Sequence, residues 1–172
     1  MIETEYDVVV AGYGPVGETC ANLLGYYGIK ALILDKEKNA YPLPRAITWD
    51  AECQRAMSHC EFLSEVKTRK IRGVDNKDDN KKSIMKITTE GFDTYNYQHR
   101  ILFIHQPQFD EAHRENAEKY STNTIKTGSE LLAVDEINGV INCTYKNIDT
   151  NEQFTVTSKY LLACDGANST VR

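Results

Sequence analysis

The chain has 172 residues, 41% hydrophobic and 26% charged, which are the proportions of one ordinary globular domain. Those values argue against a disordered, collagenous or membrane-spanning chain, and no stretch approaches the ~18 apolar residues of a spanning helix. Twenty basic residues against 25 acidic ones leave a net charge of −5 with no long basic run, which argues against binding a nucleic-acid backbone.

The start, Ile2-Glu3-Thr4-Glu5, is acidic and leads into a short apolar run, unlike a secretory signal. The cysteines (Cys20, Cys53, Cys60, Cys143, Cys164) are odd in number and lack paired spacing, which disfavours a disulfide framework or a zinc site. The expectation is a reduced, cytoplasmic protein with no membrane or nucleic-acid partner, leaving a homo-oligomer open.

Tyr6 to Ala11 is a β-branched run that predicts a buried parallel strand. Gly12-Tyr13-Gly14-Pro15-Val16-Gly17 interrupts it, and Val16, Cys20, Leu23, Leu24 and Tyr27 then recur at helical spacing until Gly28. Ala31 to Leu34 is a second buried strand ending at Asp35. Strand, glycine turn, helix and strand make a βαβ unit, whose crossover is right-handed.

After a loop from Lys36 to Arg45, helix is expected from about Asp50 to Cys60, with a short helix near Leu63. Arg72 to Ser83 is nearly all charge and amide and reads as a solvated loop. Strands are expected at Ser83–Thr89 and Phe92–Tyr97, around Glu90-Gly91, and at Ile101–Ile104. Pro107 suits the first turn of a helix whose inner face carries Phe109, Ala112, Asn116, Ala117 and Tyr120. Leu131–Ile137 and Val140–Tyr145 flank Asn138-Gly139, a strong hairpin signal, and Phe154–Thr157 completes a three-stranded meander. Tyr160–Cys164 is a buried strand before Asp165-Gly166. The parallel sheet is expected from residues 5–11, 31–35, near 122–126 and 160–164, with the meander across one side.

The glycine motif carries the first chemistry. Gly12 makes the tight turn, Gly14 lets backbone approach a pyrophosphate, and Gly17 permits close helix–strand packing. Amides and the helix dipole at residues 14–17 then hold the anion. Asp35 lies 18 residues beyond Gly17, where a carboxylate meets ribose hydroxyls. A chance glycine turn in an α/β protein is the alternative, and the motif does not separate NAD from FAD.

Four stretches go further: Asp7–Gly17 (DVVVAGYGPVG), Tyr41–Asp50 (YPLPRAITWD), Phe103–Asp110 (FIHQPQFD) and Leu161–Arg172 (LLACDGANSTVR). In order and spacing they resemble the N-terminal part of the FAD-dependent aromatic hydroxylases, the p-hydroxybenzoate hydroxylase family. Within it they are most similar to the 3-(3-hydroxyphenyl)propionate hydroxylase and phenol hydroxylase type. The resemblance implies an α/β, Rossmann-like FAD-binding fold with a parallel sheet, a crossover β-meander and part of a substrate-side β-sheet. It implies a FAD-binding domain over 1–71 and 105–172, incomplete, with an excursion over 72–104 toward the substrate sheet.

Carried over by residue, the resemblance places Gly12, Gly14, Pro15, Val16 and Gly17 around the pyrophosphate and Asp35 on the ribose. Lys36 stands where many members have arginine, and would act as a point charge. Arg45 falls at a flavin-contacting arginine, Gln106 near the ribityl and phosphate region, Leu131 at a backbone contact to adenine, and Asp165 at a carboxylate meeting the cofactor. Without the resemblance, Arg45 reads as a surface arginine, Gln106 equally as a cap for the helix begun by Pro107, Leu131 as core, and Asp165-Gly166 as an ordinary turn. The four histidines show no metal spacing, and a packed or solvent-facing role is the expectation for His105.

The activity implied is hydroxylation of a small phenolic substrate with NADH or NADPH as transient electron donor and O2, through a flavin hydroperoxide. No catalytic residue is assigned. A later Gly-Asp motif of the family is missing, so the chain alone is expected to be inactive and a weak flavin binder. The alternatives are a non-catalytic cofactor-binding or assembly remnant and, less well matched to the meander, an NAD-binding reductase.

Overall fold

A computed structural model of the chain describes residues 4–43, 48–60, 66–88 and 101–172. In chain order its elements are β1 (Tyr6–Ala11), α1 (Pro15–Tyr26), β2 (Ala31–Asp35), β3 (Thr48–Asp50), α2 (Ala51–Met57), β4 (Arg69–Lys70), β5 (Gly73–Lys77), β6 (Ser83–Thr88), β7 (Ile101–Phe103), α3 (Gln106–Glu118), β8 (Asn123–Thr127), β9 (Ser129–Ile137), β10 (Val140–Asn147) and β11 (Gln153–Ala163). The chain divides into one unit of residues 1–42 and 110–172 and a second of residues 43–109. The expected excursion over 72–104 lies inside that second unit, whose bounds are wider.

The first unit holds a six-stranded sheet in the order β8-β2-β1-β11-β10-β9. β8, β2, β1 and β11 run parallel, with Val8 opposite both Ala31 and Tyr160. β1 from Val8 to Ala11 and β2 from Ala31 to Leu34 are apolar throughout because both of their faces are covered. One face packs Val9, Ala11, Leu32 and Leu34 against Leu131, Cys143, Tyr145 and Val156 of the meander. The other packs Val8, Val10, Ala31 and Ile33 against Tyr13, Ala21 and Ala117.

The meander and the strand after it differ from expectation in two respects. Tyr160–Cys164, expected to be buried, is only partly so, and Tyr160 is 66% exposed. Phe154–Thr157 and Tyr160–Cys164 are not two strands: β11 is continuous over 11 residues. Its first half pairs antiparallel with β10 and its second half parallel with β1, the exchange falling at Ser158. A strand can serve two ladders of opposite sense within one sheet because each edge of its backbone bonds independently. The Asn138-Gly139 turn has positive φ at both residues, 53° and 77°, as a two-residue hairpin loop requires.

Helix α1 begins with Pro15 in its first turn, where a missing amide costs no hydrogen bond. It ends through Gly28, whose φ is +69° and whose amide donates to Gly25 O at 3.0 Å. Gly25 has a separate function: a Cβ there would stand 2.4 Å from the Tyr120 ring, so the glycine lets α1 approach Tyr120, two residues beyond the end of α3. Asparagines tie the two helices together. Asn22 Nδ2 donates to Glu18 O and His113 O at 2.8 and 2.9 Å, and Asn116 Nδ2 donates to Asn22 Oδ1 at 2.6 Å.

The second unit holds a three-stranded sheet, β3-β7-β4, and a two-stranded ribbon, β5-β6. Asp50 caps α2, accepting from the Cys53 amide at 2.9 Å, and the helix runs into a 3₁₀ turn over Ser58–Cys60. Trp49 packs edge-on against Phe109 at 4.9 Å between ring centroids. The solvated loop expected over Arg72–Ser83 is corrected: residues 73–77 form β5, paired antiparallel with β6. Asp78 Oδ1 closes that hairpin by accepting from the Asn80 and Lys82 amides at 3.0 and 2.8 Å. Every residue of β5 and β6 is exposed, so neither strand has the alternation that marks a half-buried strand in sequence. The short helix near Leu63, the strand at Phe92–Tyr97, the Glu90-Gly91 turn and Arg45 lie outside the described residues.

Candidate cofactor site

The three glycines of the turn between β1 and α1 are required for different reasons. Gly12 has φ +97°, and a Cβ on it would lie 2.3 Å from Cys164 O, so both its conformation and its neighbour exclude a side chain. A Cβ on Gly17 would lie 1.9 Å from Gly12 O, so the first turn of α1 rests directly on the loop. Gly14 has no such constraint: nothing lies within 4 Å of a Cβ placed there. The fold gains nothing from glycine at this position, whereas an approaching ligand does.

Gly14 is also the N-cap of α1, and no side chain caps the helix. Pro15 has no amide, so the anion-facing donors of the first turn are the amides of Val16 and Gly17 rather than the whole of residues 14–17. Val16 is 65% exposed, leaving this end of the helix open. An open cradle beside an uncapped helix N-terminus fits a diphosphate.

Asp35 ends β2 at the same rim. Its Oδ2 accepts from the Tyr13 amide at 2.6 Å and its Oδ1 from the Glu37 amide at 2.8 Å. Each carboxylate oxygen keeps further acceptor capacity, so the group can brace the glycine loop and still receive two hydroxyls. Lys36 beside it is exposed.

Asp165 follows β11. Its Oδ2 accepts from the Thr170 and Val171 amides at 2.7 and 3.3 Å, while its buried Oδ1 has no hydrogen-bond partner among the described residues. Burial opposes ionisation of this carboxyl, but Ser169 and the two amides outweigh it and hold the group below the usual carboxylate range. An open cleft of about 270 Å³ adjoins it, lined by Ala163, Asp165, Gly166, Ser169, Val171 and Arg172. Leu131 is buried in the core, so only its backbone can serve a ligand. Gln106 opens α3 in the second unit and is buried.

Sequence reading missed the charged cluster behind the glycine loop. Arg114 donates through Nε to Glu18 Oε1 at 2.7 Å and through Nη2 to the carbonyl of Tyr13, and its guanidinium lies 4.6 Å from the Tyr13 ring centroid. Glu18 is 1% exposed, and its Oε2 lies 4.0 Å from Nδ1 of the equally buried His113. Burial pushes the Glu18 carboxyl up to about 8, with Asp110 and Asp35 adding to the rise and Arg114 opposing it. Burial pushes His113 down to about 4 and raises the Tyr13 phenol. The apolar spacing of α1 points to a face carrying Val16 and Tyr27, each 65% exposed, whereas the buried face is Gly17, Glu18, Ala21, Asn22 and Gly25, so no sequence signal marks Glu18 as enclosed. Among the described residues no group of His, Cys, Asp or Glu has a metal-holding arrangement.

A family model described as "FAD binding domain" matches residues 5–172. A 3-(3-hydroxy-phenyl)propionate/3-hydroxycinnamic acid hydroxylase of Comamonas testosteroni is 31% identical over 175 residues, covering 99% of this chain and 29% of the relative. Its counterpart from Klebsiella pneumoniae (strain 342) is 30% identical over 170 residues, covering 96% and 30%. The chain therefore spans about 30% of the length of these curated relatives. Among solved structures, p-nitrophenol 4-monooxygenase PnpA from Pseudomonas putida DLL-E4 superposes with a TM-score of 0.85 at 24% identity, covering 99% of this chain and 43% of that one. The flavin-dependent monooxygenase PieE, solved with FAD and substrate, gives 0.77 at 17%, covering 96% and 31%. The fold is thus that of the flavin monooxygenases, and the chain belongs to the FAD-binding-domain family.

Proposed function

We propose that this chain is the FAD-binding portion of a flavoprotein monooxygenase that hydroxylates a small phenolic substrate with NADH or NADPH and O2. The observation that carries the reading is the contrast among the three glycines: Gly12 and Gly17 are filled by the protein's own backbone, and Gly14 faces open space. Gly14, Val16 and Gly17 receive the pyrophosphate, and Asp35 receives the adenosine ribose while it holds the Tyr13 amide. On resemblance, Lys36, Arg45, Gln106, Leu131 and Asp165 complete the cofactor contacts. FAD, when bound, supplies the redox chemistry, accepting electrons from the nicotinamide and activating oxygen. The protein's share is to orient the aromatic ring and exclude water. No helix among the described residues is long and apolar enough to cross a membrane.

Calorimetric titration with FAD and with ADP tests this. Gly14→Val is expected to weaken both ligands at least about tenfold, 1.4 kcal/mol, with thermal stability unchanged. Wild-type affinity in that variant would overturn the site. Asp35→Ala is expected to weaken FAD by about 1.5–3 kcal/mol. The residues of the first unit address the adenosine–pyrophosphate half, so ADP should compete nearly as well as FAD. A hundredfold preference for FAD, about 2.7 kcal/mol, would show that this chain also holds the flavin ring.

A further inference from the structure

Cys20 lies on α1 and Cys164 directly follows β11, 144 residues away, yet their sulfurs are 4.0 Å apart and share a hydrogen bond. Both side chains are half-buried. Cys164 is fixed from behind: its amide donates to Ala11 O at 2.7 Å, and its carbonyl fills the space beside Gly12. Cys20 sits on a helix whose first turn rests on that same loop. The sulfurs have still to close from 4.0 Å to a bond of about 2.05 Å. We propose that Cys20 and Cys164 form a reversible disulfide when the folded protein meets a peroxide, joining α1 to the end of β11 beneath the glycine loop.

The chemistry divides the roles. The shared hydrogen bond, burial and the charge of the adjacent Asp165 carboxylate all oppose a thiolate at Cys164. Cys20 is therefore the attacking thiolate and Cys164 the resolving thiol. The Cys20 sulfur attacks one peroxide oxygen and the O–O bond breaks. Sulfur loses two electrons to become a sulfenic acid, and the other oxygen leaves as water or an alcohol. The Cys164 sulfur then displaces hydroxide from the sulfenic acid, and its proton leaves with that hydroxide as water. The other cysteines with a displaced thiol are poorly suited: burial pushes Cys143 up to about 11, and burial, Asp50 and Glu52 raise Cys53.

The test treats the native 172-residue chain with hydrogen peroxide, alkylates the remaining thiols and maps peptides by mass spectrometry. The expected product is a Cys20–Cys164 linked peptide, reversed by dithiothreitol and formed at least about tenfold faster than Cys143 is oxidised. Cys164→Ser should leave Cys20 as a sulfenic acid trapped by dimedone, and Cys20→Ser should form neither product. Should either variant fail to fold, the wild-type map decides alone. A folded, peroxide-treated chain without that linked peptide, or with it only as one of many mixed pairs, would overturn the proposal.

Discussion

The central sheet of the first unit and the β5-β6 ribbon of the second are both regular hydrogen-bonded ladders, yet they differ in what surrounds them. Val9, Val10, Leu32 and Ile33 are fully enclosed in the sheet, whereas Ile84 and Met85 of the ribbon are 72% and 49% exposed. A backbone hydrogen bond exchanges water for peptide and nets little, so pairing alone does not hold a two-stranded ribbon. The sheet has a helical layer on one face and a folded-over meander on the other. Cover, rather than pairing, separates the two regions.

Substitutions can break that comparison, beginning with the tightest packing. Gly17→Ala places a methyl 1.9 Å from a backbone oxygen that cannot yield, and a loss of about 4 kcal/mol or more is expected in urea melts. Leu32→Ala is expected to cost about 3 kcal/mol by opening a cavity between sheet and meander. Ile84→Thr in the ribbon should change global stability by less than about 0.5 kcal/mol. If the Leu32 and Ile84 variants proved equally damaging, the distinction between covered and uncovered ladders would fall.

Between those extremes lies a pH effect that sharpens the contrast, since it arises only where charge is enclosed. Glu18 is held up to about 8 in the folded chain, so its contribution is fully present at low pH and is lost as pH rises toward 8. His113 is held down to about 4, so its contribution is present above its ordinary value of about 6.5 and is lost on acidification toward 4. The two slopes oppose each other between about pH 4.5 and 6.5, leaving Glu18 alone above that. Stability is expected to fall by about 2 kcal/mol from pH 6.5 to 8. Glu18→Gln should flatten that slope in melts followed by circular dichroism, and an unchanged slope would remove Glu18 as its source. Amide hydrogen exchange in β5 and β6 should be insensitive to the same pH change once intrinsic rates are corrected, and faster throughout than in β1 and β2.

What was legible in the sequence follows the same division. The β1-α1-β2 unit could be read because runs such as Val8-Val9-Val10 and Ala31–Leu34 have no polar face to mislead. Two glycine roles were legible too, since Gly12 and Gly17 each answer a steric demand that no other residue meets, whereas the open space at Gly14 makes no such demand within the chain itself. β5 was not legible: Asp75, Asn76 and Lys77 carry no apolar alternation, and its pairing depends on the Asp78 turn. The continuity of β11 was hidden because Ser158-Lys159 resembles a break, although Ser158 is buried where two ladders meet. The Glu18–Arg114 pair was invisible for a third reason: its members are 96 positions apart and only the crossing of α1 and α3 brings them together.

The shared strand has a consequence for the order of assembly. β1 lies between β2 and β11, so one of its edges stays unpaired until residues 158–163 have been synthesised. Throughout that interval a nascent chain presents Tyr6–Ala11, with three consecutive valines and a row of unsatisfied backbone donors and acceptors, as a ready template for intermolecular pairing. Because the partner is about 150 positions away, loop closure delays its arrival. A chaperone that shields short apolar strands would have its work on this protein concentrated in that interval, at the N-terminal strand.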